Sequence, residues 1–163
     1  MWIEIEIEKL QEVMTVGNLI CLAFLLGISV YDIYFHRISK AVLVLANLLA
    51  VFYALLQAGT SRESREELLW AAAGASAGLL LLGIARLTEE AVGYGDGWLV
   101  VALGSYLGLW GLVEVLAAAW VLLAVAAAVC LVAKRWSRKA ALPMTPFLTA
   151  GFLLLLAGEY FRT

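Results

Sequence analysis

Hydrophobic positions along this chain follow neither the one-sided stripe of a soluble helix nor the alternation of a half-buried strand. They come in six uncharged stretches, 13–31, 41–61, 68–85, 97–113, 115–133 and 140–158, each 17 to 21 residues long. Crossing about 30 Å of hydrocarbon at 1.5 Å per residue takes roughly 20 residues. Inside lipid the backbone must satisfy its own hydrogen bonds, and runs without alternation do so as helices rather than barrel strands. The pattern predicts an all-α integral membrane protein with six transmembrane helices, at about 13–34, 39–59, 67–87, 97–112, 114–134 and 142–160, after an acidic segment over 1–12. No linker or long repeat divides the chain, so 1–163 reads as a single transmembrane domain.

Composition agrees with the pattern. Hydrophobic residues make up 64% of the 163 and charged residues 15%, with a mean hydropathy of +0.96. A soluble domain has about 45–50% apolar and about 25% charged residues. Thirteen acids against eleven bases leave a net charge of -2, which offers no basic surface for nucleic acid. The opening Met1-Trp-Ile-Glu-Ile-Glu is acidic and lacks a small-x-small cleavage site. It does not read as a secretory signal, and the first stretch is expected to remain as a span. Cys21 and Cys130 lie inside apolar runs and read as small hydrophobes. No Cys-x-x-Cys pair is present and His36 is the one histidine, so no usual zinc ligand set exists and no cofactor is implied.

Six spans return both termini to one face. That face carries Lys9, Arg62, Arg65 and Arg162, whereas the other carries Arg37, Lys40, Arg86, Lys134, Arg135, Arg138 and Lys139. Seven bases against four put the termini outside and the segments around 32–40, 86–97 and 134–139 in the cytoplasm. Gly74 with Gly78, and Gly104 with Gly108, have the spacing that lets helix backbones touch. The general frequency of glycine in membrane helices accounts for that spacing equally well. Trp2, Trp98 and Trp136 fall near span ends, where interfacial belts place them.

The informative contrast is eleven glutamates but two aspartates. Asp32 ends the first span and Asp96 opens the fourth, within Gly93-Tyr94-Gly95-Asp96-Gly97. With two spans between them, parity returns both to the cytoplasmic face at similar depth. Asp32 alone could be a helix-end residue reaching water, and Asp96 alone could be an N-cap. An N-cap does not account for the flanking glycines, which permit positive φ and remove β-carbons where a backbone or substrate must pass close. Two carboxylates brought together share one proton, so one serves as base and the other as acid. A pair spanning a water hydrolyses a peptide bond without metal or nucleophile. His-Glu-x-x-His is absent, and His36 adjoins Arg37 in a basic stretch far from any buried serine.

At these residues the chain resembles the type IV prepilin peptidases, and more broadly the GxGD membrane aspartyl peptidases. Their first motif is an aspartate ending a span, then a short basic stretch and Ile-Pro-Asn; here Asp32 is followed by His36-Arg37-Ile38-Ser39-Lys40, without the Pro-Asn. Their second is approximately Glu-Ala-Met-Gly-x-Gly-Asp followed by Leu-Gly-x-x-x-Gly. This chain has Glu90-Ala-Val-Gly93-Tyr94-Gly95-Asp96, then Leu103-Gly104-Ser-Tyr-Leu-Gly108. Where many members continue Val-Lys-Leu, it has Gly97-Trp98-Leu99. Pro143-Met-Thr-Pro146-Phe147-Leu148 is similar to the family's third element.

The sequence holds no Cys-x-x-Cys of the kind found in the zinc extension of larger members, and it resembles the short, peptidase-only form of tight-adherence pilus systems and archaeal preflagellin peptidases. The resemblance implies an inner-membrane aspartyl endopeptidase that cuts prepilin-like precursors on the cytoplasmic side, with Asp32 and Asp96 catalytic. It implies that Gly93, Tyr94, Gly95, Gly97, Pro143 and Pro146 shape the site. Glu89 and Glu90 could attract the basic leader, although solvated loop charges explain them as well. Its partners are then prepilin-like precursors and the lipid bilayer. Two other readings use the same residues: a transporter or proton relay built on membrane carboxylates, and an inactive pilus-assembly factor that binds precursors without cutting them.

Overall fold

The computed structural model describes residues 16–35, 39–60, 64–87, 93–132 and 143–162. They form five helices: α1 (Val16–Phe35), α2 (Lys40–Thr60), α3 (Ser64–Leu87), α4 (Tyr94–Val132) and α5 (Thr145–Arg162). The first four are long and apolar enough to cross a membrane, and α5 is apolar over the shorter stretch Thr145–Phe161. Leucines, valines and aromatic side chains stand exposed along every helix, among them Leu48, Phe52, Leu80, Trp120 and Val129. Water would not tolerate so much apolar surface, whereas lipid is its natural solvent.

The expected fourth and fifth spans, 97–112 and 114–134, both lie on α4, which is two helical stretches meeting at a kink. At 39 residues, α4 is about 58 Å long if straight, well beyond one crossing of roughly 30 Å. Its interruption falls at Gly108, with φ 70° and ψ -177°, and not at Glu114. A charge marks where a span is expected to end, but only glycine readily takes this backbone conformation, so the break lies there.

The chain divides into two compact units, one comprising Met1–His36 with Glu114–Thr163 and the other Arg37–Val113. In the first, α1 and α5 pack through a buried stripe of Leu25, Ile28, Ser29 and Asp32, with Thr145, Leu148, Thr149, Phe152 and Leu156 buried on α5. The spacing of both sets is that of one helix face. A β-carbon at Gly151 would lie 2.5 Å from the Val115 carbonyl oxygen, so α5 also presses directly on the second half of α4.

The second unit holds α2, α3 and the start of α4. Both glycine pairs noted in the sequence work as contacts. Gly74 lies against the backbone of Gly104 and Gly108, a β-carbon at Gly78 would lie 2.5 Å from the Val101 nitrogen, and Gly97 meets Leu82. Residue numbers rise on α3 as they fall on α4, so the two helices run antiparallel with backbones touching. Between helices in lipid, close van der Waals approach replaces the hydrophobic effect as the source of stability, and only small residues permit it. Charges suit the ends of α3: Glu66 and Glu67 occupy its first turn and Arg86 its last, each complementing the helix dipole.

Candidate active site

Asp32 lies three residues beyond Ser29 on the buried stripe of α1 and is only 7% exposed. It is not the water-reaching helix-end residue that its position in sequence allowed. Beside it stands a hydroxyl network. The Thr149 Oγ1 proton points to the carbonyls of Thr145 at 3.0 Å and Leu25 at 3.3 Å. With that proton committed, Thr149 accepts from Ser29 Oγ at 2.6 Å. One turn before Thr149, the Thr145 hydroxyl is fully buried and has no hydrogen-bond partner among the described residues.

These hydroxyls separate two kinds of threonine. Thr149→Val strands the buried Ser29 hydroxyl, at a cost of about 1–3 kcal/mol. Thr145→Val removes a polar atom that already lacks a partner, so it leaves stability unchanged or raises it. Thermal unfolding midpoints of the two purified variants check the contrast; a larger fall for Thr145→Val would refute it.

Asp96 belongs to the second unit. Gly93 is the residue whose carbonyl accepts the first helical bond, from the Gly97 nitrogen at 3.2 Å. Asp96 is therefore the third helical residue and not the N-cap. Its carboxylate folds back toward the cap: a β-carbon at Gly93 would stand 2.6 Å from Asp96 Oδ2. An acid at this position commonly reaches back to the helix start, where the dipole favours negative charge. Among the described residues Gly108 is the glycine with positive φ, so the freedom that Gly93, Gly95 and Gly97 have to take positive φ is not used. The useful property of Gly93 and Gly97 is the missing side chain, which leaves space for the carboxylate in one case and for Leu82 in the other.

Gly93→Ala tests that space. The added methyl forces the Asp96 carboxylate to move while the backbone stays acceptable; in the catalytic role that the sequence resemblance implies for Asp96, misplacement by about 1 Å can cost about 10²-fold. The expected outcome is a tenfold or greater fall in turnover with an unchanged unfolding midpoint. A variant as active as the wild type would remove Gly93 from the site.

Around Asp96, Tyr94 and Trp98 make an edge-to-face pair with centroids 6.4 Å apart. The Asn47 amide donates to the Trp98 carbonyl at 3.1 Å and to the Leu43 carbonyl at 2.8 Å, tying α2 to the first turns of α4. Sequence reasoning does not single out Asn47. The signal is nonetheless there, a carboxamide inside an apolar run, where polar side chains commonly bond between helices. The prolines open α5 and do not kink it. Pro143 precedes the helix, the Met144 carbonyl accepts from Phe147 and Leu148, and Pro146 sits in the first turn where an N–H is not needed. Glu89, Glu90, His36, Arg37 and the basic cluster 134–139 lie outside the described residues.

Comparison with protein families finds a match to the type IV leader peptidase family over residues 19–133, more than two thirds of the chain. No curated protein and no solved structure matches it significantly. The matched region includes both aspartates, the glycine-flanked start of α4 and the α3–α4 glycine contact. The chain belongs to the type IV leader peptidase family.

Proposed function

We propose that this protein is a membrane-embedded aspartyl endopeptidase that removes the short basic leader from type IV prepilin-like precursors at the cytoplasmic face of the inner membrane. The observation that carries the reading is Asp32, one of two aspartates in the chain, buried to 7% exposure on an apolar helix. An ionisable group within a span costs at least about 2.5–3.5 kcal/mol near the membrane centre and less toward the interface, and it is retained where it acts. Family membership supplies the reaction class, peptide-bond hydrolysis. Asp96, lodged at a glycine-flanked helix start, is the second carboxylate.

In the proposed step, the ionised member of the pair takes a proton from water as the water oxygen attacks the scissile carbonyl carbon. The protonated member gives its proton to the carbonyl oxygen. The tetrahedral intermediate then collapses, the C–N bond breaks, and a proton passes to the leaving amine. Water is the only co-reactant. Placing each carboxylate in a different protonation state is what makes one pair serve as both base and acid.

The proposed topology has six spans in one transmembrane peptidase domain, with α4 supplying the fourth and fifth and both termini outside. Tyr94, Gly95, Gly97, Pro143 and Pro146 shape the site, and Glu89 and Glu90 attract the bases of the leader. The direct experiment reconstitutes the purified protein in liposomes with pilin-like precursors from its own genome and reads product masses. A product shortened by the basic leader is expected. Intact precursors throughout, with folded protein, would overturn the reading.

A further inference from the structure

The second unit contains a cleft of about 270 Å³ at the end where α2 finishes and α3 begins. It is lined by Tyr53 and Gln57 from α2, Glu67 and Trp70 from α3, and Tyr106 and Gly108 from α4. All six belong to one compact unit. The hydrolytic reading uses none of them.

The lining has a definite chemistry. Glu67 supplies a carboxylate, and among the described residues no cationic side chain pairs with it. Three aromatic rings stand with it. Tyr53 and Tyr106 pack with centroids 4.6 Å apart, and Trp70 is braced by Trp110 at 6.3 Å. Gln57 Nε2 donates to the Tyr53 hydroxyl at 3.1 Å, which holds that phenol in place. Gly108, with φ 70°, borders the cleft beside the Trp70 backbone and Cβ. A carboxylate together with aromatic faces attracts a cation, and aromatic faces favour ammonium groups in particular. The volume is below the roughly 300–1,000 Å³ of pockets for drug-sized ligands, which suits a small head such as ethanolamine.

Depth narrows the ligand further. Gln57 lies three residues before the end of α2, and Glu67 three residues after the start of α3. Both are within about one turn of a helix end, the level at which aromatic belts meet lipid headgroups. From these observations the geometry points to a binding site for a primary or quaternary ammonium group, supplied by an aminophospholipid headgroup or by a free ammonium solute. This site does not depend on the peptidase reading.

Native mass spectrometry of the detergent-purified protein tests it. The protein is titrated with phosphatidylethanolamine, with phosphatidylglycerol and, separately, with tetramethylammonium. Wild-type protein is expected to retain phosphatidylethanolamine at least fivefold better than phosphatidylglycerol, with Glu67→Gln erasing the preference. Tetramethylammonium binding lost in Glu67→Gln, without any lipid preference, would assign the site to a soluble ammonium. Trp70→Leu should weaken whichever ligand binds, and Glu67→Gln, an isosteric change at an exposed position, decides the matter if Trp70→Leu fails to fold. Asp32→Asn should bind like wild type, so a failed peptidase assay and a failed binding assay are separate results. If neither ligand distinguishes wild type from Glu67→Gln, the site does not exist.

Discussion

Asp32→Asn and Asp96→Asn are each expected to reduce precursor cleavage by at least about 10³-fold while the protein still inserts and folds. A carboxamide is nearly isosteric with a carboxyl group but neither takes a proton from water nor delivers one to the carbonyl oxygen. Positioned proton transfer contributes about 10²–10⁴-fold for each group, and a pair that acts as a unit loses nearly everything when either member goes. Stability should behave differently from activity. Asp32 is buried on the α1 stripe, so its replacement by an amide of nearly the same size leaves the packing in place and puts an uncharged group on that face. The unfolding midpoint of Asp32→Asn should therefore hold or rise. The measurement is single-turnover cleavage in liposomes beside thermal unfolding of the same preparation; turnover above a tenth of wild type in either variant would sink the paired-carboxylate mechanism.

The second large effect concerns packing. Gly74→Ala and Gly104→Ala are each expected to be among the most destabilising single substitutions in the protein, by several kcal/mol. At both positions the new methyl group would occupy space held by the backbone carbonyl of the facing helix. Backbone cannot swing aside as a side-chain tip can, so α3 and α4 would have to separate and lose contacts along the crossing. Gly27→Ala, Gly59→Ala and Gly83→Ala form the comparison set, because a methyl group added at any of them would meet nothing within 4 Å. There the higher helix propensity of alanine makes the change neutral or favourable by up to about 1 kcal/mol. Detergent-resistant folding, followed by thermal unfolding or protease resistance, should separate the two sets cleanly. Equal behaviour of Gly74→Ala and Gly83→Ala would contradict the close approach.

Glycine and aspartate positions show why sequence reasoning reaches some features and not others. The glycine spacing 74/78 and 104/108 is visible in one dimension, but so is similar spacing in helices that touch nothing. Only the observed partners, Gly104 for Gly74 and Val101 for Gly78, turn it into a contact. Asp96 is visible as a candidate because an aspartate among glycines at a span boundary is chemically conspicuous. Its place within the helix is not, since the helix starts at Tyr94 and Gly93 provides the cap. Hydropathy cannot resolve the first turn of a helix, because the N–H groups there are free whatever the side chains are.

What the sequence determined alone is what depends on solvent: helices long enough for lipid, because a backbone in hydrocarbon must bond to itself, and two aspartates conspicuous because charge is costly there. The tertiary structure decided what depends on neighbours. It put the interruption of α4 at Gly108 instead of Glu114, buried Asp32 beside a threonine–serine network, and let Asn47 bridge two helices. Those outcomes follow from contacts between residues up to 124 positions apart in the chain, which no local pattern encodes.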